Sequence, residues 1–370
     1  MRKIVSMVTK NILLIILLAS LVVFGIFAYF SKDNSATKIS TELTDNPNLN
    51  SEDEGGIADA DNPLSIESLR NGDYPGSDIV IEQTLSPGSN YNRFIGSYKS
   101  EGLTIYGLLT VPATTPPEQS FPVIIFNHGY ISPSVYQTTE RYAAYQDAFA
   151  RNGYVTFKSD YRGHGNSEGA ATGGYGSNAY TIDILNAISS IKKLKDPESS
   201  SASSGSIVDA NRIGMWGHSM GGSITLKTMV ITKDVKAGVI WAGVVASYPD
   251  LLERWRRRST ASPQPSRIGH SSWRQDLIAK YGEPSQNSEF WNSISATSYL
   301  SDISGPLQLH HGTADSSVQI EFSQKLESQM KDAGKDVELY IYEGDDHNLS
   351  NNLTLALSRS VEFFDKYLKK

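Results

Sequence analysis

The chain of 370 residues contains no cysteine. That absence excludes disulfides, thiolate nucleophiles, cysteine-ligated zinc and a lipid-modified N-terminal cysteine, and it leaves the redox compartment unread. A strong charge of either sign is also missing. With 33 basic and 40 acidic residues the net charge is −7, so there is no electrostatic footprint for nucleic acid. No internal repeat is visible, and no cluster with metal-ligand spacing or cofactor fingerprint stands out, so no metal and no cofactor is expected.

Long apolar runs are scarce, with one exception. Ile12 to Phe30 is uncharged throughout and follows Arg2, Lys3 and Lys10. At about 1.5 Å per residue such a run matches the hydrocarbon thickness of a bilayer. The preceding positive charges predict a cytoplasmic N-terminus and an exported remainder. A cleaved signal peptide is the rival. Its apolar region would be shorter, and small residues would be needed where Phe27-Ala28-Tyr29-Phe30 stands, so an uncleaved signal anchor over 1–30 is expected. Residues 31–75 follow as an acidic, flexible tether: Ser31 to Tyr74 holds ten acidic and three basic residues and little to bury.

Residues 76–370 read as one domain. Asp78 to Leu85, Arg93 to Tyr98 and Leu103 to Val111 predict an antiparallel lead-in. Pro122 to Phe126 is a continuous apolar strand of the kind buried on both faces of a parallel sheet. After it, strands and helices alternate. Helices are expected over Thr138 to Asn152, Tyr180 to Leu194, Gln319 to Ala333 and Leu349 to Leu368. Strands are expected over Tyr154 to Ser159, Lys236 to Ala242, Leu307 to His311 and Val337 to Tyr342. This is the pattern of a doubly wound, mostly parallel α/β sheet. Between two of those strands, about 247–304 carries Trp255, Trp273 and Trp291 amid arginines and polar residues. It reads as a small helical cap at the carboxyl edge of the sheet, and these three tryptophans are the candidate substrate-binding residues. A surface excursion unrelated to substrate is the plainer alternative.

The chemistry centres on Gly217-His218-Ser219-Met220-Gly221. A short strand ends at Gly217, a serine stands at the apex, and a helical pattern follows. Side chains at the two flanking glycine positions would collide as strand and helix converge, so this is the nucleophile elbow of an α/β-hydrolase fold. A second G-x-S-x-G, Gly165 to Gly169, runs into Ala170 to Gly176, which no helix tolerates, so Ser167 is a loop residue. A serine hydroxyl needs a base, and the base needs an acid to hold its tautomer. His347 follows the last strand and is the expected base. Asp315 ends the preceding strand and is the expected acid, with Asp345 and Asp346 as rivals close to His347. The oxyanion donors would be the backbone N–H groups of Met220 and of Tyr130, in the loop after Pro122 to Phe126. His311 and His128 read as loop braces, and His218 as packing beside the elbow.

Taken together, Gly217 to Gly222, His128-Gly129-Tyr130, Asp160 to Ser167 and His311 to Asp315 resemble the catalytic domain of the prolyl oligopeptidase family of serine peptidases, from about Tyr91 onward. The resemblance implies Ser219, Asp315 and His347 as the triad, and a structural role for Asp160 to Ser167. Those peptidases usually carry a large N-terminal β-propeller, for which the tether and lead-in strands are too short. Substrate selection is therefore expected to fall to the cap. The expected function is hydrolysis of small acyl esters or short peptides through an acyl-enzyme. Acyl transfer on the same triad and a non-enzymatic binding module are the alternatives.

Overall fold

The computed structural model describes residues 62–198, 205–255 and 273–369, all within the second of two compact units, Ile57–Lys370. The expected signal anchor and most of the tether lie outside the described residues. Among the described residues no helix is long and apolar enough to cross a membrane.

The folded domain begins earlier in the chain than expected. Residues 62–75 belong to the folded domain through helix α1, Ile66–Arg70. Ser65 caps it by accepting from the Ser68 N–H, Ile66 and Leu69 are buried, and Arg70 donates to the Val230 carbonyl and pairs with Asp302. Two apolar residues three apart on one short helix suffice to dock a segment whose average composition is polar.

Three strands, β1 (Val80–Leu85), β2 (Tyr91–Ser100) and β3 (Leu103–Pro112), form the antiparallel lead-in. Strand β4 (Phe121–Asn127) follows, then helix α2 (Ala143–Arg151), strand β5 (Val155–Ser159) and helix α3 (Ala179–Ile191). Strand β6 (Val208–His218), helix α4 (Met220–Ile231) and strand β7 (Val235–Trp241) come next. After the short helices α5 (Tyr248–Arg254), α6 (Trp273–Tyr281) and α7 (Ser288–Ser293) come strand β8 (Leu307–Gly312) and helix α8 (Ile320–Asp332). Strand β9 (Val337–Tyr342) and helix α9 (Leu353–Leu368) complete the order.

The nine strands pair as β1-β2-β3-β5-β4-β6-β7-β8-β9; β4 to β9 run parallel to one another, and β5 meets β3 antiparallel. This is the α/β-hydrolase fold. Alternation along β4 sorts the core into two layers: Val123 and Ile125 belong to the cluster that takes in α3, α4 and α8, while Ile124 and Phe126 belong to the one that takes in α2 and α9. Every residue of β4 is buried, as expected of a strand covered on both faces. The strand order reverses at β4, so a crevice opens above the carboxyl ends of β4, β5 and β6.

Two helices start later than their apolar pattern predicts. Helix α2 begins at Ala143 rather than Thr138, because Arg141 and Tyr142 take left-handed backbone and the Thr138 hydroxyl donates to the buried Asp160 carboxylate. Helix α9 begins at Leu353 rather than Leu349, because the Asp345 and Asp346 carboxylates gather the N–H groups of Asp346, Asn348, Ser350, Asn351 and Asn352 into a tight turn. Both local competitors are polar side chains that an apolar periodicity does not register.

Candidate active site

Ser219 follows β6 directly and has φ of 56° and ψ of −118°, a left-handed conformation that a serine rarely adopts. Surrounding hydrogen bonds hold it there: its N–H donates to the Trp241 carbonyl, and its own carbonyl accepts from Gly222 and Val244. The flanking glycines are sterically required. A Cβ at Gly221 would stand 1.9 Å from the Asn127 oxygen, and one at Gly217 2.4 Å from the Gly221 oxygen. Strand end and helix start therefore touch through bare backbone. Met220 opens α4, where the first N–H groups lack an intrahelical acceptor.

The loop after β4 passes close to this serine. A Cβ at Gly129 would lie 3.1 Å from the Ser219 Cβ, and the next residue, Tyr130, is 55% exposed and lines a cavity with Ser219 and Met220. That cavity has a volume of about 320 Å³, and Trp255, Trp273, Arg274 and Tyr175 form much of its wall.

The loops after β8 and β9 meet through a histidine and a carboxylate. His347 Nδ1 lies 2.7 Å from Asp315 Oδ2, so the ring donates to the carboxylate. The same oxygen lies 3.1 Å from His311 Nε2, and Asp315 Oδ1 accepts from the N–H groups of Ser317 and Val318. Burial alone would raise the carboxyl pKa. The hydrogen bonds from His311 and His347, the charge of His347 and the Val318 N–H outweigh burial and hold Asp315 well below the usual carboxylate range. Asp345 and Asp346 are committed elsewhere. Asp345 is fully buried and accepts from Asp346, Asn351 and Asn352, while Asp346 serves Asn348 and Ser350.

A second set of bonds links these loops. His218 Nε2 lies 2.9 Å from the His347 carbonyl, which can only accept, so Nε2 carries the proton. Its Nδ1 accepts from the Tyr142 hydroxyl at 2.7 Å, and the hydroxyl oxygen accepts from the Gly129 N–H at 3.1 Å. Burial, with the neighbouring His347, lowers the His218 pKa to about 3 and keeps the ring neutral, as this arrangement requires. The loops of β4, β6 and β9 are thus joined by one neutral chain of hydrogen bonds.

Comparison with known proteins then fixes the family. Residues 141–370 match the prolyl oligopeptidase family profile. The chain belongs to that family. Like its relatives it is a serine hydrolase. The uncharacterized peptidase YuxL of Bacillus subtilis (strain 168) is 26% identical over 254 residues, covering 68% of this chain and 34% of YuxL. The acylaminoacyl peptidase of Pyrococcus horikoshii superposes with a TM-score of 0.58 at 23% identity, over 76% of this chain and 43% of that one. An acetyl xylan esterase from Paenibacillus sp. R4 gives 0.58 at 17% identity, over 82% of this chain and 92% of the esterase. This prolyl oligopeptidase family chain therefore spans well under half of the two peptidases and most of the esterase.

Against the expectations from sequence, the fold brings Ser219, Met220, Tyr130, Trp255 and Trp273 to one cavity, and joins His347 to Asp315. Trp291 is not among them. It is fully buried in a separate small core with Tyr248, Leu277, Phe290 and Ile294, and its indole N–H donates to the Gly282 carbonyl. Trp291 packs the inside of the stretch rather than the cavity wall, and so cannot reach a ligand there. Ser167 accepts from the Tyr106 N–H and is followed by no helix, consistent with a loop residue. Asp160 is likewise structural in this geometry, accepting from Tyr136 and Thr138. His311 braces the loop as expected, but the group it braces is Asp315. Tyr142 and Arg274 escaped the sequence reading. Tyr142 lay inside an expected helix, and Arg274 was one arginine among several.

Proposed function

We propose that Ser219, His347 and Asp315 form the catalytic triad of this hydrolase, and that small acyl or aryl esters are its preferred substrates over tripeptides and longer peptides. The observation that carries the triad is the 2.7 Å bond from His347 to Asp315, with the His347 ring centre 4.6 Å from that of His218, the residue before Ser219. With its Nδ1 proton committed to Asp315, a neutral His347 has Nε2 free to accept the Ser219 proton as Oγ attacks the acyl carbon. The tetrahedral oxyanion would be met by the N–H groups of Met220 and Tyr130. His347 returns its proton to the leaving group, an acyl-serine remains, and water repeats the sequence in reverse. In this reading the helices between β7 and β8 are a cap, since they supply Trp255, Trp273 and Arg274 to the cavity. A cavity of about 320 Å³ with aromatic walls suits a small acyl or aryl group better than an extended peptide. The same reading keeps Ile12 to Phe30 as a membrane anchor.

A fluorophosphonate should label the wild-type chain and not Ser219→Ala, and the variant should lose turnover by about 10⁵-fold or more while remaining folded. Kinetics with 4-nitrophenyl acetate and butyrate against tripeptide amides then tests the preference. Efficient cleavage of the peptides with negligible esterase activity would overturn it.

A further inference from the structure

Among the described residues that line the cavity beside Ser219, Arg274 is the one that carries a charge. It is the second residue of α6, half-buried, and held in place from two sides. Its Nη2 donates to the carbonyls of Trp255 at 2.8 Å and Leu251 at 3.3 Å, while its Cζ stands 4.7 Å from the Trp273 ring centre and 5.4 Å from that of Trp255. Both bonds use one nitrogen, and a guanidinium has five N–H donors in a fixed fork. The comparably sheltered Arg162 and Arg212 each hold a carboxylate, Asp183 and Asp209. Among the described residues Arg274 has no such ion pair.

The wall carrying Arg274 is itself tied to the hydrolytic machinery. The Trp255 indole donates to the Ser317 carbonyl at 3.0 Å, two residues beyond Asp315. Tyr175 meets Trp255 and Trp273 edge-on and tilted, with ring centres at 5.1 and 5.6 Å. An oriented guanidinium between aromatic planes, opening onto the cavity of a candidate nucleophile, is a built receptor for a carboxylate.

We propose that Arg274 forms a carboxylate subsite, so that this hydrolase prefers esters or amides whose bound portion bears a free carboxylate. The proposal rests on the reading of Ser219 as nucleophile and of this cavity as the substrate site.

Two matched pairs of esters test it on the full chain. Mono-4-nitrophenyl glutarate against 4-nitrophenyl pentanoate places the carboxylate on the acyl side, and 4-carboxyphenyl acetate against 4-carbamoylphenyl acetate places it on the leaving group. In at least one pair the anionic member should have the higher kcat/KM, and its advantage should shrink as sodium chloride is raised. Arg274→Gln should lower kcat/KM for that anionic ester by about 30-fold or more and for its neutral partner by less than about 3-fold, as expected for loss of a charge-assisted pair. Arg274→Lys should restore part of the preference. Equal losses on both members would make Arg274 a brace for the Trp255 loop and overturn the subsite, as would no anionic preference in either pair. Wild-type chain inert to fluorophosphonate would instead sink the nucleophile assignment, and the subsite with it.

Discussion

Three buried histidines should make this domain acid-labile well above the pH at which carboxylates protonate. His128, His218 and His310 are each almost completely buried, and burial lowers each pKa to about 3, assisted by Lys158, His347 and Arg359 respectively. The folded pKa is depressed, so stability is fully present above the unfolded value and is lost as pH falls toward about 3. With an unfolded value near 6.5, the unfolded chain takes up roughly one proton more per histidine at pH 5, which costs about 2 kcal/mol each and about 6 kcal/mol together. Asp160 opposes this. Burial raises it to about 6, so it gains stability as pH falls through that value and recovers about 1 kcal/mol at pH 5. Lys158 and Lys227, lowered to about 8 by burial, are already mostly protonated at pH 7 and barely alter the slope below it. The remaining loss, about 5 kcal/mol, is comparable to the whole stability of many domains. Urea titrations at pH 8, 6 and 5, followed through tryptophan emission, should show this fall. His310→Gln should flatten the slope by about 1.4 kcal/mol per pH unit, because the His310 ring bonds Tyr342, Gln308 and Ser360 among the described residues and lies outside the candidate site. A stability constant from pH 8 to 5, or an unchanged slope in His310→Gln, would refute the reasoning.

The other expectations concern the site and the N-terminus. Asp315→Asn should lower kcat by about 10⁴-fold by offering His347 the wrong hydrogen-bond partner, with little change in KM. Asp345→Asn should act first on stability, by about 1–3 kcal/mol, since it interrupts the acceptor set of the turn before α9. Reversed penalties in steady-state kinetics on folded protein would make Asp345 the acid. The full chain should sediment with membranes and resist extraction by high salt, with its C-terminal domain open to added protease in spheroplasts. Soluble protein beginning after Phe30 would refute the anchor.

What was legible in the sequence was local. The elbow at Ser219 could be read because the collisions that demand Gly217 and Gly221 arise within one tight turn. Periodicity put Ser219, Asp315 and His347 each just past an apolar run; their expected roles came from the chain order Ser, acid, His of the fold. Boundaries failed where a polar side chain outbid the apolar pattern, as Thr138 on Asp160 and Asp345 on the turn before α9. The tether was overextended because Ile66 and Leu69 bury themselves against helices far along the chain.

Only the tertiary structure decided which members of a residue type do what. Three tryptophans of one stretch looked equivalent; packing sent Trp291 inward and left Trp255 and Trp273 on the cavity wall. Two histidines converge on one oxygen of Asp315, from four residues before it and thirty-two after it. Tyr142 joins the Gly129 loop to the His347 loop, across 76 residues to His218 and a further 129 to His347. Such contacts arise because a parallel sheet brings the carboxyl ends of distant strands level with one another, and no periodicity within a window can encode that meeting.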